Sequence, residues 1–293
     1  MSLDSARVSR QEPRKIGVGR AKGWVVDAAD VLVVLPTLGD RIDSLRETLE
    51  SVSRQRRQLP LTLVVVTPIS ATAARTLAGE YGAVLVNDPG TGISEAINRG
   101  LAARTSETFY AWIGDDDLLR DGGLALLRSM IDGRPDVVVA FGACDYIDSR
   151  GVTIAVSNAG WLARPLLAWG PDLIPHPGTL IRLDALEAIG GFDRNLKYVM
   201  DLDAFLKLRK VGRFVWTRQP VSAFRWHPDS LTVANRAGSS AEAERVKRRH
   251  LPAAARPFCA LWHHPVRWAS SVAAGWVSAR ARRNLSASVP AGQ

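Results

Sequence analysis

The sequence predicts an α/β fold built on a mostly parallel sheet with helices on both faces. Three observations lead there. Short runs of β-branched and aliphatic residues recur along the first half of the chain. Each run is followed by a stretch whose apolar residues repeat at helical spacing. Those stretches are long enough to carry the chain back across a sheet, so consecutive strands are expected to lie parallel and buried on both faces.

Taken in order, residues 1–29 are polar, punctuated by Arg, Gly and Pro, and read as a flexible basic arm. VLVVLP, from Val31 to Pro36, reads as the first buried strand. After Thr37-Leu38-Gly39, Asp40 is placed to cap a helix carrying Ile42, Leu45, Leu49 and Val52 on one face. LTLVVVT (61–67) reads as a second strand, Ser70 as the cap of the next helix, and AVLVN (83–87) as a third strand. Ile93, Ile97 and Leu101 recur every fourth residue on a helix expected to stop near Gly100. FYAWIG (109–114) is a fourth strand that runs straight into three aspartates. Leu124, Leu127 and Ile131 mark another helix, and DVVVAFG (136–142) another strand. Beyond 142 the pattern loosens into shorter strands and turns, with one clear helix from Asp201 to Val211. Residues 30–235 thus read as one domain, and 236–293 as a basic, Trp-containing helical tail.

The chain of 293 residues is long enough for a large core, and its net charge of +9 sits at its ends. Residues 236–293 hold ten Lys/Arg against two Glu, and residues 1–30 hold six against four acidic residues. The domain between is nearly neutral, which argues against a nucleic-acid partner. Cys144 and Cys259 are far apart and form no metal-ligand spacing, so a reducing, cytoplasmic setting is expected. No secretory leader is read at the N-terminus, and no apolar run approaches the roughly 18 residues of a membrane span.

Candidate chemistry begins at Gly114-Asp115-Asp116-Asp117-Leu118. Three adjacent carboxylates repel one another, yet they stand at a strand's carboxyl end, where ligands of parallel sheets bind. Mg²⁺ or Mn²⁺ takes oxygen donors, and one or two carboxylates plus substrate phosphates suffice. A turn followed by a helix start would place the same residues there. Asp201 and Asp203 open a helix, as a proton acceptor or as N-terminal charges. His176 and His227 each precede a proline, in extended or turn backbone, as ligands or as ordinary satisfied side chains. Gly90 and Gly92 precede a helix whose amides can face a phosphate, although the Lys-Ser/Thr of a P-loop is missing.

Five segments in one order resemble glycosyltransferase family 2, from about Val31 to Thr232. They are the strand ending in Pro36-Thr37, then NDPGTGISEAINRGLAARTSE with YAWIGDDDLL, HPGTLIRLDALEAIGGFD, NLKYVMDLDAFLKL and FRWHPDSLT. The resemblance implies the GT-A fold, with a Rossmann-like sheet, and inverting transfer from a nucleoside-diphosphate sugar to a hydroxyl. It implies Mn²⁺ or Mg²⁺ held by Asp115 and Asp117, with His227 approaching, and Asp116 turned towards sugar or ribose. Pro36, Thr37, Asp88, Asn98, Asp115 and Asp116 would line the donor site. His176, Gly191 and Phe192 would lie on the acceptor side. Asp201 matches the family's base, with Asp203 as the alternative. The family's acidic loop after the second strand is replaced by Thr67-Pro68-Ile69-Ser70, so recognition of the nucleotide base falls to backbone, Ser70 or Asp88. A sugar nucleotidyltransferase, or a relative that binds glycan or nucleotide without catalysis, is the alternative reading.

The tail repeats Trp268, Val272 and Trp276 every four residues, with Arg280 and Arg283 near the end of the expected helix. Trp beside Arg suits a helix lying on an anionic surface, and Arg248 and Arg249 add charge. The same Trp face would serve equally to dock on the domain. A membrane-bound tail would suit a lipid-linked or cell-surface glycan acceptor, with the protein peripheral on the inner face of the plasma membrane.

Overall fold

A computed structural model describes residues 29–157, 160–226 and 236–258, and single residues 261, 265, 272, 275 and 279 beyond them. Four strands alternate with helices as the apolar runs require: β1 (Val31–Pro36), α1 (Ile42–Gln55), β2 (Leu61–Thr67), α2 (Thr72–Glu80), β3 (Val84–Asn87), α3 (Ile93–Leu101) and β4 (Phe109–Trp112). There follow β5 (Leu118–Leu119), α4 (Gly123–Ile131), β6 (Val137–Ile147), β7 (Thr153–Ser157) and α5 (Ala163–Leu166). Then come β8 (Thr179–Arg182), α6 (Leu183–Ala188), α7 (Met200–Leu208), β9 (Arg213–Arg225) and α8 (Arg236–His250), with a 3-10 turn at Ala253–Phe258 beyond it.

The sheet runs β3-β2-β1-β4-β8-β6-β9-β5, with β7 added on β6. Strands β3, β2, β1 and β4 are all parallel. Around β8 the pairing turns antiparallel, while β6 and β9 again run parallel. Both faces are covered. Leu32 and Val34 of β1 face a core shared with Ile97, Tyr110 and Phe205, whereas Val31, Val33 and Leu35 face one shared with Leu45, Leu49 and Leu124. That division explains why β1 is apolar without interruption.

Several local expectations shift. α1 begins after Arg41 and α2 after Ala71, and neither helix start has a side-chain cap, so Asp40 and Ser70 do not serve there. α3 does end near Gly100, at Leu101. A Cβ at Gly100 would come 2.4 Å from Val34 Cγ1, so glycine lets α3 press onto β1. After residue 142 the strands are longer than the pattern suggests, since β6 continues to Ile147 and β9 spans 13 residues. α7 stops at Leu208, three residues before Val211.

Segment 236–250 forms α8, whose buried Val246, with Leu251 beyond it, joins the same core as Met200, Leu202 and Phe205 of α7. Arg245, Arg248 and Arg249 remain on its exposed side. Among the described residues, no helix is long and apolar enough to cross a membrane. The expected arm (1–28), His227 and the tail residues Trp268, Trp276, Arg280 and Arg283 lie outside the described residues. Val272 is described, and it is exposed.

Candidate active site

The acidic run follows β4, and Ile113 still donates to Val34 O of β1 at 3.2 Å. The three aspartates then take different roles. Asp115 is buried, and its Oδ2 accepts the Thr37 hydroxyl at 2.6 Å. Thr37 stands directly after Pro36, the last residue of β1, and its amide donates to Val66 O. The ends of β1, β2 and β4 are thereby tied at one point. Arg41, from the start of α1, bridges the first two carboxylates, with Nη2 3.0 Å from Asp115 Oδ1 and Nη1 2.5 Å from Asp116 Oδ2. Burial raises the Asp115 pKa, while the Thr37 hydrogen bond and the Arg41 charge pull the other way.

Asp117 turns inward. Its Oδ1 accepts the Arg225 amide at 3.0 Å and its carbonyl accepts the Thr48 hydroxyl at 2.8 Å. Burial, followed by the charge of Asp116, raises its pKa well above the usual carboxylate value. Arg225 is itself buried, and its guanidinium donates to the carbonyls of Asp116 and Ser149 at 2.9 Å each and pairs with Glu47 at 2.5 Å. The end of β9 thus pins the acidic loop to α1 and to the β6–β7 turn. Neither Arg41 nor Arg225 stood out in the sequence. The position of Arg41 four residues after Thr37 was a readable signal, whereas nothing in sequence spacing joins Arg225 to Glu47.

The remaining expected donor residues divide. Asp88 follows β3, partly exposed, with its amide on Thr67 O and its Oδ1 accepting the Gly90 amide. Ser70 is exposed on the turn after β2. Both amide atoms of Asn98 are engaged by the Phe192 backbone, at 2.7 and 3.1 Å. Gly191 has φ of +70°, and a Cβ there would lie 2.9 Å from Asn98 Oδ1, so Asn98 fixes the glycine turn that leads into Phe192.

Asp201 lies in another environment. Its side chain is 28% exposed, and His176 Nδ1 stands 4.0 Å from Oδ2. The His176 ring stacks on Trp112, 4.6 Å between centroids, and touches Phe192 and Phe205. The Tyr110 hydroxyl is 3.4 Å from its Nε2. Burial pushes the His176 pKa down to about 3, so the imidazole is neutral. Burial also pushes the Asp201 pKa up to about 6, and among the described ion pairs it has no Lys or Arg partner. The structure therefore brings His176, Phe192 and Asp201 together. Asp203, two residues on, points elsewhere: Lys207 Nζ lies 2.7 Å from one oxygen and His250 Nε2 3.1 Å from the other. Beside His176, Trp112 Nε1 is buried without a hydrogen-bond partner among the described residues, a donor that sequence reading did not single out.

Among the described residues, no three His, Cys, Asp or Glu side chains converge as a cation site. The carboxylates of Asp115 and Asp116 nevertheless converge on one cationic group, the Arg41 guanidinium. Two oxygen donors of this kind, completed by substrate phosphates, fit a hard divalent cation.

The sequence profile of Glycosyl transferase family 2 matches residues 32–167, the stretch that contains Thr37, Arg41 and the acidic run. Residues 32–167 thus carry the sequence signature of family 2 glycosyltransferases. Solved structures share its fold. The mannosyltransferase PcManGT from Pyrobaculum calidifontis, in complex with GDP-Man and Mn²⁺, aligns at a TM-score of 0.57 and 18% identity, over 91% of this chain and 78% of that one. S. aureus TarS 1–349 aligns at 0.55 and 16% identity, over 76% and 69%, and its complex with UDP-GlcNAc at 0.56 and 16%, over 76% and 70%. Among curated proteins no sequence gives a significant match. The GT-A architecture is thus shared with glycosyltransferases whose sequences have diverged widely.

Proposed function

We propose that this glycosyltransferase inverts the anomeric centre, moving a sugar from a nucleoside-diphosphate donor to a hydroxyl acceptor with Asp201 as general base. The observation that carries the reading is the contrast between its carboxylates. Asp115 and Asp116 share a cation, whereas Asp201 sits beside a neutral imidazole with its pKa raised to about 6. A carboxylate of that pKa is ionised at neutral pH yet basic enough to accept a proton.

In this mechanism the donor lies over the carboxyl ends of β1, β2 and β4. Asp88 and Ser70 are the groups on that side available to ribose and base, while the Thr37 hydroxyl is engaged by Asp115. In place of the Asp115–Asp117 pair that the resemblance implied, Asp115 and Asp116 would hold Mn²⁺ or Mg²⁺, since Asp117 is turned inward onto the Arg225 amide; when bound, the metal would offset charge on the leaving diphosphate. His227, proposed from the family resemblance alone, would add to that set. Arg41 supplies a guanidinium at the same place, able to face phosphate once its carboxylates are engaged elsewhere. Asp201 takes the proton of the acceptor hydroxyl as its oxygen bonds to the anomeric carbon. The nucleoside diphosphate departs from the opposite face with the bonding pair. Phe192 and the Trp112–His176 stack form the apolar wall of the acceptor side.

We place the acceptor among glycans or lipid-linked intermediates on the cytoplasmic face of the membrane, a reading supported by the basic, Trp-bearing tail. Isothermal titration of UDP and GDP with Mn²⁺, and again with EDTA, tests the donor side. Binding that requires the metal is expected, and binding indifferent to EDTA counts against the reading. Liposome flotation tests the tail: the full chain should float with anionic vesicles, and a chain ending at Phe258 should not.

A further inference from the structure

We infer that Glu242 of α8 is a positioning residue for Asp201, so that α8 is a brace for the base. Glu242 is buried, and its carboxylate accepts three successive backbone amides just ahead of α7: Lys197 at 3.1 Å, Tyr198 at 2.7 Å and Val199 at 3.2 Å. Successive amides aimed at one point form an anion-binding nest, and a carboxylate there also complements the positive end of the helix that follows. Val199 is the residue on which α7 starts, and Asp201 is the second residue of that helix. Movement of 197–199 therefore moves the base.

Two further contacts from α8 reach the surroundings of Asp201. The Lys247 ammonium, also buried, donates to Gly170 O at 2.5 Å, on the segment leading to His176. His250 holds Asp203 at 3.1 Å, which turns that carboxylate away and leaves Asp201 as the one beside His176. Val246, between these anchors, is fully buried against α7. One helix thus grips the base helix ahead of Asp201, beside it and behind it. The groups facing Asp201 itself are His176, Tyr110 of β4 and Asp172 of the preceding segment.

The inference rests on Asp201 being the base, so its test needs a readout independent of transfer. Glu242→Ala is compared with Glu242→Gln, which keeps a carbonyl acceptor, and with Val246→Ala, which loosens the same helix without touching the nest. All are assayed well below their melting temperatures. Glu242→Ala should lower kcat at least tenfold with donor KM within twofold, Glu242→Gln should recover most of that loss, and Val246→Ala should keep kcat within threefold. In parallel, ¹³C NMR titration of the Asp201 carboxyl should shift by at least half a pH unit in Glu242→Ala and stay in place in Val246→Ala. An unchanged Asp201 titration in Glu242→Ala, or equal kcat losses in the two alanine variants, overturns the inference. Absence of transfer by the unaltered protein overturns the base assignment instead, and leaves the titration to decide whether Glu242 positions Asp201.

Discussion

Two carboxylate centres in this domain are built from the same side chain in opposite ways. At the mouth of β1 and β4, Asp115 and Asp116 face a hydroxyl and a guanidinium, and a third aspartate behind them is fastened by backbone. At the start of α7, Asp201 stands beside Asp172 and an uncharged imidazole that is itself packed on Trp112 and Phe205. The first arrangement offers carboxylate oxygens to a cation, with Thr37 and Arg41 opposing the rise that burial gives the Asp115 pKa. The second weakens the ionised form and so strengthens the base. The proposed inverting transfer uses both, one to hold the counter-charge of the departing diphosphate and one to take a proton. The fold draws one from the ends of the parallel strands and the other from a helix that packs against α6 and α8.

The largest effect should come from the second centre. Asp201→Asn should reduce turnover on the order of a thousandfold, within the range of general-base contributions, and leave nucleoside-diphosphate binding within twofold. The pH profile of the unaltered enzyme checks the same point. Because the working form is the ionised one and the pKa lies near 6, the rate should climb about tenfold per unit below that value and level off above it. Near-normal turnover in Asp201→Asn, or a flat acidic limb, would merge the two centres into one.

Asp115→Asn should give the reverse pattern. Metal-supported binding of UDP or GDP should weaken by roughly ten- to a hundredfold in titration, while the acidic limb stays in place. The smallest effect on catalysis is expected at Asp203. Lys207 and His250 hold its pKa low despite the opposing effect of burial, so this carboxylate adds stability above its unfolded pKa and loses it as pH falls. Asp203→Asn should cost about 1.5–3 kcal/mol in denaturant unfolding at pH 7 and less in mild acid, with turnover per folded molecule retained. A turnover loss as large as that of Asp201→Asn would return Asp203 to the role of base.

The parallel half was legible in sequence because its strands are buried on both faces. VLVVLP and LTLVVVT leave no other use for so many β-branched residues in a row. The acidic run was legible for the converse reason, since three aspartates after such a strand have no place in a core. β6 and β9 were harder to read, as their pairing joins residues more than 70 positions apart through registers that shift twice near Gly142. The packing of α8 was hidden by its charges: the segment reads as part of a basic helical tail beyond the domain, yet Glu242, Val246 and Lys247 are all buried. Only a partner with amides, a carbonyl and an apolar groove makes sense of that mixture, and no spacing within the segment reveals it. Asn98 shows the same limit from the other side, being a polar side chain near the site that is spent on backbone.

The Arg225 fastening has a consequence for the order in which the protein becomes competent. It joins α1 to the end of β9 across 178 residues, one of the widest loops the chain has to close. Contacts of such separation form late, after the local strand–helix units have docked. Until then the acidic loop lacks its backbone anchor, and its three like charges push one another apart. Metal affinity should therefore appear in the last phase of refolding, later than helix and sheet signals, so that the donor site ripens after the scaffold that carries it.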